Sequence, residues 1–347
     1  MSETSPNLYT HQRFLFLTLD PVHIGTGGYR LGRTDMTITR EPGTNLPKIP
    51  GTSLAGAARS YAAMRYGKIE AAGQHKNLAR KLPNEAKRKC PILYTFGSAT
   101  DSGGGQAGTV SIGDARVLFF PVASMAGPVW VSTAEQVKEA WGNSSLTLPQ
   151  NGQSVEPTDA GQVVTSLDWE KSLNLGWLLL EAKKGLVITP PSGIRDSEIW
   201  KAIEKRLVLI TPKLFSHIVS SNLEVRTSVS IDPKTGAAEK GALFTYEALP
   251  RATWLWSDVV EDNYLQLNGV NFPQTDKRCK VEVKKDAQSQ DEKAFIENDG
   301  EPLGEKWTTP LDVVRSGLNL IEYLGVGGMG TRGFGRMKRI ADWKVQL

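Results

Sequence analysis

Two runs decide the fold: Gln12-Arg13-Phe14-Leu15-Phe16-Leu17-Thr18-Leu19-Asp20, stopped by Pro21, and Ile49-Pro50-Gly51-Thr52-Ser53-Leu54-Ala55-Gly56-Ala57-Ala58-Arg59. The first is rich in β-formers and partly alternating, which predicts a strand. The second opens with a Pro-Gly turn signal, and Thr52 or Ser53 can cap a following helix. Leu54, Ala57, Ala58, Tyr61 and Met64 recur near helical spacing and predict one apolar face, with Arg59 and Arg65 outside it. Between the two runs lies a loop from Gly25 to Pro47 with seven glycines or prolines, holding the acid Asp35.

Working outward, Val110 to Val122 reads as a buried strand and Ala134 to Trp141 as a short helix. Trp177 to Val187 reads as a strand; Ser197 to Leu207 and Pro212 to Val219 read as helices. Leu223 to Ile231 and Gly241 to Leu249 are β-patterned, and Asp232-Pro233-Lys234-Thr235-Gly236 between them is a turn sequence, so they form a long hairpin. Pro310 to Leu324 carries a stripe of Leu311, Val314, Leu318, Ile321 and Leu324, predicting an amphipathic helix. A second glycine loop, Gly325 to Gly335, and a last strand, Arg336 to Val345, follow. Stripped of insertions, the order is βαββαβ, an α+β pattern of the ferredoxin-like or RNA-recognition type. The chain is read as one domain, 1–347, with a basic helical insertion at about 67–108, a polar loop at 143–165, the hairpin at 223–249 and a charged, exposed excursion at 272–306.

Composition narrows the function. The chain has 39% hydrophobic residues, ample for a core, and no apolar run long enough to span a bilayer. The amino-terminal residues lack the pattern of a signal peptide. Cys90 and Cys279 are far apart with no neighbour at metal spacing, as expected of free thiols in a reducing cytoplasm. The net charge is only +4, but from Lys48 to Cys90 ten Lys and Arg face two acids, Glu70 and Glu85. That block carries +8 and leaves −4 for the remainder. A concentrated basic face fits a phosphate backbone.

Each glycine loop is tested against nucleotide-cofactor motifs. The dinucleotide fingerprint needs a strand before the loop and a helix directly after it. The first loop is separated from its helix by about twenty residues, and the second precedes a strand, so neither fits. The second loop instead lets backbone approach a partner closely, and Arg332 can add a bidentate phosphate contact. His23 and His217 are candidates for proton transfer. No serine–histidine–acid set and no histidine–carboxylate set at metal spacing is present.

Together these residues resemble the backbone subunits of type III CRISPR effector complexes, members of the RAMP superfamily, with the Cmr-type subunit the nearest match. The motifs carrying the resemblance are His23-Ile24-Gly25, Asp35 after the glycine loop, Ile49 to Leu54 through Arg59, and Gly108 to Val122. They continue with Ile231 to Gly236, leading through Glu239 to Gly241-Ala242-Leu243-Phe244, and end with the terminal glycine loop. The resemblance runs from about residue 12 to 337. It implies a modified RNA-recognition fold whose copies stack along a CRISPR guide RNA beside other effector subunits, away from any membrane. The hairpin acts as a thumb that wedges into the guide–target duplex and everts a nucleotide. The loop acid, Asp35 by position, then cleaves target RNA with a divalent metal ion, Mg or Mn. Tyr246 and Glu247 on the return strand, with His23, are expected to shape the catalytic site. Guide contacts map to Gly25, Gly27, Lys48, Thr52, Ser53, Arg59 and Arg65, and to Gly327, Gly328, Met329, Thr331 and Arg332. The terminal loop departs from many Cmr-type members by holding Met329 and Arg332 rather than acids. Three other functions stay open: a purely structural subunit of the same assembly, a metal-independent guide-processing endoribonuclease acting through His23, and a nucleotide-cofactor enzyme.

Overall fold

The computed structural model describes residues 8–26, 34–73, 84–98, 105–142, 145–147, 157, 159–284 and 292–345. Strand β1, Tyr9–Thr18, is central: Phe14, Leu15 and Phe16 are all fully buried. A strand buried on both faces needs apolar residues on consecutive positions, which is why this run alternates only partly. Helix α1 spans Gly51–Tyr66, β2 Ala115–Val122, β3 Trp254–Asp262, α2 Pro310–Asn319 and β4 Met337–Lys344. The four strands lie in the order β4-β1-β3-β2, every neighbour antiparallel. This is the expected βαββαβ arrangement.

Both helices lie on one side of the sheet, packing against Phe14 and Phe16 through Leu54, Ala58, Leu311, Val314 and Leu318. They cross at close range. A methyl group added at Gly317 would lie 2.0 Å from the Ala58 carbonyl oxygen, so only glycine admits the crossing. The other side of the sheet carries Leu15, Trp254 and Trp256, covered by a second cluster that includes Trp200 and helix Ala134–Trp141.

Beyond β2 the sheet continues through Val129–Ser132, Leu207–Leu209, Gln162–Thr165 and Leu178–Lys184 to Leu173–Leu175. Two of these pairings are parallel. Several elements differ from what the sequence predicts. The end of the polar 143–165 loop is a strand, its Val163 and Val164 buried although polar residues surround them. The helix read over Ser197 to Leu207 shrinks to Glu198–Lys201, because Leu207 enters the sheet. The single strand read over Val110 to Val122 breaks at Gly113-Asp114. There the Asp114 carboxylate leaves the strand to accept the Gly51 backbone N–H at 2.8 Å, holding the start of α1.

The 272–306 excursion is not simply exposed. It folds into strands, and Cys279, Leu303 and Trp307 form a third cluster with Ala62, Tyr66, Leu93 and Val313. Helix α1 is therefore covered on two sides. Leu54 and Ala58 are buried as the one-face reading has them, but Arg59, Ala62 and Ala63 are buried as well and Met64 is exposed. Glu224–Ile231 and Ala238–Ala248 pair antiparallel as a hairpin, with Gly236 at φ +66° in the turn. The Asp232 side chain accepts from the Lys234 N–H and the Thr235 hydroxyl there. No helix among the described residues is long and apolar enough to cross a membrane.

Candidate functional site

After β1 ends, the chain runs along the root of the hairpin. Val22 and Leu249 exchange backbone hydrogen bonds at 2.9 and 3.0 Å. The segment around Asp35 then returns and pairs on both sides: Gly25 with Ile38, antiparallel, and Met36 with Tyr246, parallel. The Met36 N–H donates to the Thr245 carbonyl at 3.1 Å, and the Glu247 N–H to the Met36 carbonyl at 3.0 Å. The Asp35 segment is thus a short third strand laid against the hairpin's return strand.

Asp35 sits at the outer end of this pairing, partly exposed. Its Oδ2 accepts from the Thr245 backbone N–H and from the Thr245 hydroxyl, both at 2.8 Å. In return the Asp35 N–H donates to the Thr245 hydroxyl oxygen at 3.0 Å. These bonds, the backbone one first, hold the carboxyl below the ordinary carboxylate range, so it is ionised at neutral pH. Thr245 escaped the sequence reading. Strand alternation places it on the same face as Glu247, but its pairing with a residue 210 positions away leaves no local signal.

The neighbouring candidates hold the root together. His23 is buried, and its Nδ1 lies 2.7 Å from the Glu247 carbonyl oxygen. A carbonyl only accepts, so Nδ1 carries the proton. Glu247 accepts from Arg40 at 2.7 Å and from the Ile38 N–H at 3.2 Å. Tyr246 is buried, edge-on to His23, and its hydroxyl accepts from the Arg332 guanidinium at 2.5 Å. Among the described residues no group of three or more His, Cys, Asp and Glu side chains is placed to hold a metal, so Asp35 stands as a single carboxylate.

The terminal glycine loop docks on this root. The Gly328 N–H donates to the His23 carbonyl at 3.1 Å. A methyl group at Gly327, whose φ is +87°, would lie 2.3 Å from the Ile24 side chain and 2.5 Å from the His23 carbonyl oxygen. Met329 is left-handed at φ +64° and opens the turn that presents Thr331 and Arg332 to solvent. Facing it across a cleft of about 440 Å³ are Thr52, Ser53, Gly56 and Ser60 of α1. The structure therefore brings Asp35, His23, Tyr246, Glu247 and the terminal loop to one place, with Gly25, Thr52 and Ser53 alongside. Gly27 lies outside the described residues.

Three basic candidates do not join them. Arg59 is buried and donates to the carbonyls of Ala71 and Phe96 at 2.7 and 3.4 Å. Arg65 pairs with Glu305 at 3.3 Å, and Lys48 with Asp114 at 2.5 Å. The basic face read from Lys48 to Cys90 shrinks further. Lys68 is buried against Glu297 and Lys87 is buried, while Arg88 and Lys89 are exposed. Counting charge along the sequence overstates what reaches the surface, because a buried cation is held by partners remote in the chain.

The model of the RAMP superfamily matches residues 15–338. The CRISPR system Cmr endoribonuclease Cmr4 of Pyrococcus furiosus is 29% identical over 249 residues, spanning 69% of this chain and 78% of its own. The CRISPR system Cms endoribonuclease Csm3 of Methanothermobacter thermautotrophicus is 35% identical over 83 residues, 23% of this chain and 30% of its own. Among solved structures, a chain of the type III-B Cmr-beta complex bound to cognate target RNA superposes with a TM-score of 0.57 at 15% identity, covering 95% of this chain and 97% of that one. Oligomeric Cmr4 of Pyrococcus furiosus superposes with a TM-score of 0.51 at 19% identity, covering 97% and 99%. These superpositions speak to the fold.

Proposed function

This chain belongs to the RAMP superfamily, and on that premise we propose that it is a guide-RNA-binding backbone subunit of a type III CRISPR effector complex that cleaves guide-paired target RNA at Asp35. Two relatives named as endoribonucleases of such systems support the class of activity. The observation that carries the residue assignment is the pairing of Asp35 with Thr245, which makes carboxylate and hairpin a single body.

In this reading the guide's phosphates run between the first turns of α1 and the terminal loop, where Thr52 and Ser53 line the cleft opposite Gly327 and Gly330, and the exposed Arg332, bonded to the Tyr246 hydroxyl, lies on the same loop. Sequence choice is left to base pairing, because an A-form duplex hides its base edges from side chains. The hairpin enters the duplex with the exposed Val229, Ile231 and Leu243 leading, and one nucleotide is turned out. An everted nucleotide frees its backbone to align the ribose 2′-hydroxyl in line with the adjacent phosphate. That hydroxyl gives its proton to water and attacks phosphorus, and the 5′-oxygen leaves taking a proton from water, giving a 2′,3′-cyclic phosphate and a 5′-hydroxyl end. Asp35 is the group that would hold a divalent cation, and a lone ionised carboxylate fits a hard ion such as Mg or Mn that takes its remaining oxygens from water and RNA. When bound, the cation supplies charge stabilisation at the phosphorane. His23, Glu247 and Arg40 keep the root rigid beneath the carboxylate.

The test is Asp35→Asn in the complex reconstituted with its guide. Single-turnover cleavage of target RNA is expected to fall by about 100-fold or more, as on loss of a transition-state charge partner. Target affinity stays within about threefold, because binding rests on pairing. Cleavage at the unaltered rate would reject the assignment.

A further inference from the structure

The hydroxyl of Thr245 is bonded in both directions, donating to Asp35 Oδ2 and accepting from the Asp35 N–H. Thr245 is half-buried on the return strand, next to the buried Tyr246. Its backbone N–H also points at Oδ2, so side chain and main chain converge on one oxygen. The same strand continues outward to Leu243, beside Val229 on the partner strand. Thr245, Leu243 and Val229 lie on one face of the hairpin, because alternate residues and their cross-strand partners share a face.

We propose that Thr245 is the positioning residue that fixes the Asp35 carboxylate to the hairpin, so that the carboxylate moves only as the hairpin moves. This rests on the cleavage reading given above. Among the described residues the other anchors of the Asp35 segment lie at Met36 and beyond, to backbone and to the Glu247 carboxylate; these set the chain path but not the Asp35 rotamer. The Thr245 hydroxyl and backbone N–H, meeting at Oδ2, set the rotamer, and the hydroxyl alone also ties back to the Asp35 N–H. A hairpin fully seated in a paired duplex then carries the carboxylate to the scissile phosphate, and a hairpin held off by a distorted duplex withholds it. Misplacement by about 1 Å costs a reaction roughly 100-fold.

The experiment uses full complexes with guide RNA built from Thr245→Val, Thr245→Ser and Asp35→Asn chains. Valine keeps the shape and the backbone N–H but neither donates nor accepts; serine restores the hydroxyl. Expected are a 10- to 100-fold slower single-turnover cleavage with valine, unchanged target affinity and unfolding midpoint, and recovery to within about threefold with serine. Thr245→Ala, read the same way, replaces valine if assembly is disturbed. Wild-type cleavage with valine, or serine as slow as valine, would overturn the role of Thr245 while a dead Asp35→Asn complex leaves the catalytic reading standing. Cleavage by the Asp35→Asn complex would overturn the catalytic reading itself.

Discussion

Glu261, near the end of β3, is half-buried beside the Asp312 carboxylate at the start of α2. Burial first, and then the Asp312 charge, push its carboxyl up to about 7, with Arg315 opposing. The folded chain therefore binds a proton that the unfolded chain releases near 4.5. Below that point both states are protonated and nothing is lost. Between 4.5 and about 7 stability falls as pH rises, and above about 7 the full penalty remains. Glu261→Gln is expected to raise the unfolding midpoint at about pH 8 and leave it unchanged at about pH 4. Partial solvent screening keeps the gain on the order of 1 kcal/mol. A midpoint gain of equal size at both pH values would show that the carboxylate charge is not the cause. At this scale the sequence was legible where chemistry is local. The Asp232-Pro233-Lys234-Thr235-Gly236 turn could be read because its side-chain bonds reach only two or three residues. The burial of Arg59 could not, because Ala71 and Phe96, which hold it, are placed by the fold.

At the scale of elements, the crossing of α1 and α2 is the tightest joint in the core. Gly317→Ala normally favours a helix by about 1 kcal/mol. Here the added methyl would meet the Ala58 backbone carbonyl at 2.0 Å, and backbone cannot swing aside as a long side chain would. Overpacking then outweighs propensity, and a net loss of about 2 kcal/mol is expected from urea denaturation. A stabilised Gly317→Ala chain would mean the helices can separate freely. The helices themselves were legible, since Leu311, Val314 and Leu318 repeat at helical spacing. The mutual approach was not, because a glycine inside a helix gives no hint of what it faces. Nor was the break of the long helix at Leu320, where the ten-residue helix ends and a short one, Ile321–Leu324, begins.

At the level of the molecule, three apolar clusters among the described residues are joined through the sheet and α1. The third binds the 272–306 segment to the back of α1, with Lys68 and Tyr66 both reaching Glu297. The Lys68 side chain is 1% exposed and also lies over the Phe295 ring at 4.9 Å. Glu297→Ala strands that ammonium without its carboxylate, and a loss of about 3 kcal/mol in urea denaturation is expected. The paired change Lys68→Met with Glu297→Leu removes both charges and stays within about 1 kcal/mol of the parent. If the single change were as mild as the double, the ion pair would be immaterial to how this segment is held. The segment's polar composition concealed this role: Leu303 and, just past its end, Trp307 are the apolar anchors, set alongside the exposed Glu301 and Lys306. The βαββαβ order, by contrast, survived every insertion, because its strands carry enough apolar residues to be recognised alone.

The commitment of Lys48, Arg59, Arg65 and Lys68 to partners inside the protein reaches beyond stability. A polyanion that docks on this surface expels one condensed sodium ion, or nearly so, for each phosphate a free cation neutralises. Cations already occupied within the chain release none. Under the proposed function, association with RNA is expected to weaken less steeply with rising ionic strength than a tally of lysines and arginines implies, with more of the grip coming from main-chain amides, which carry no counterion to exchange.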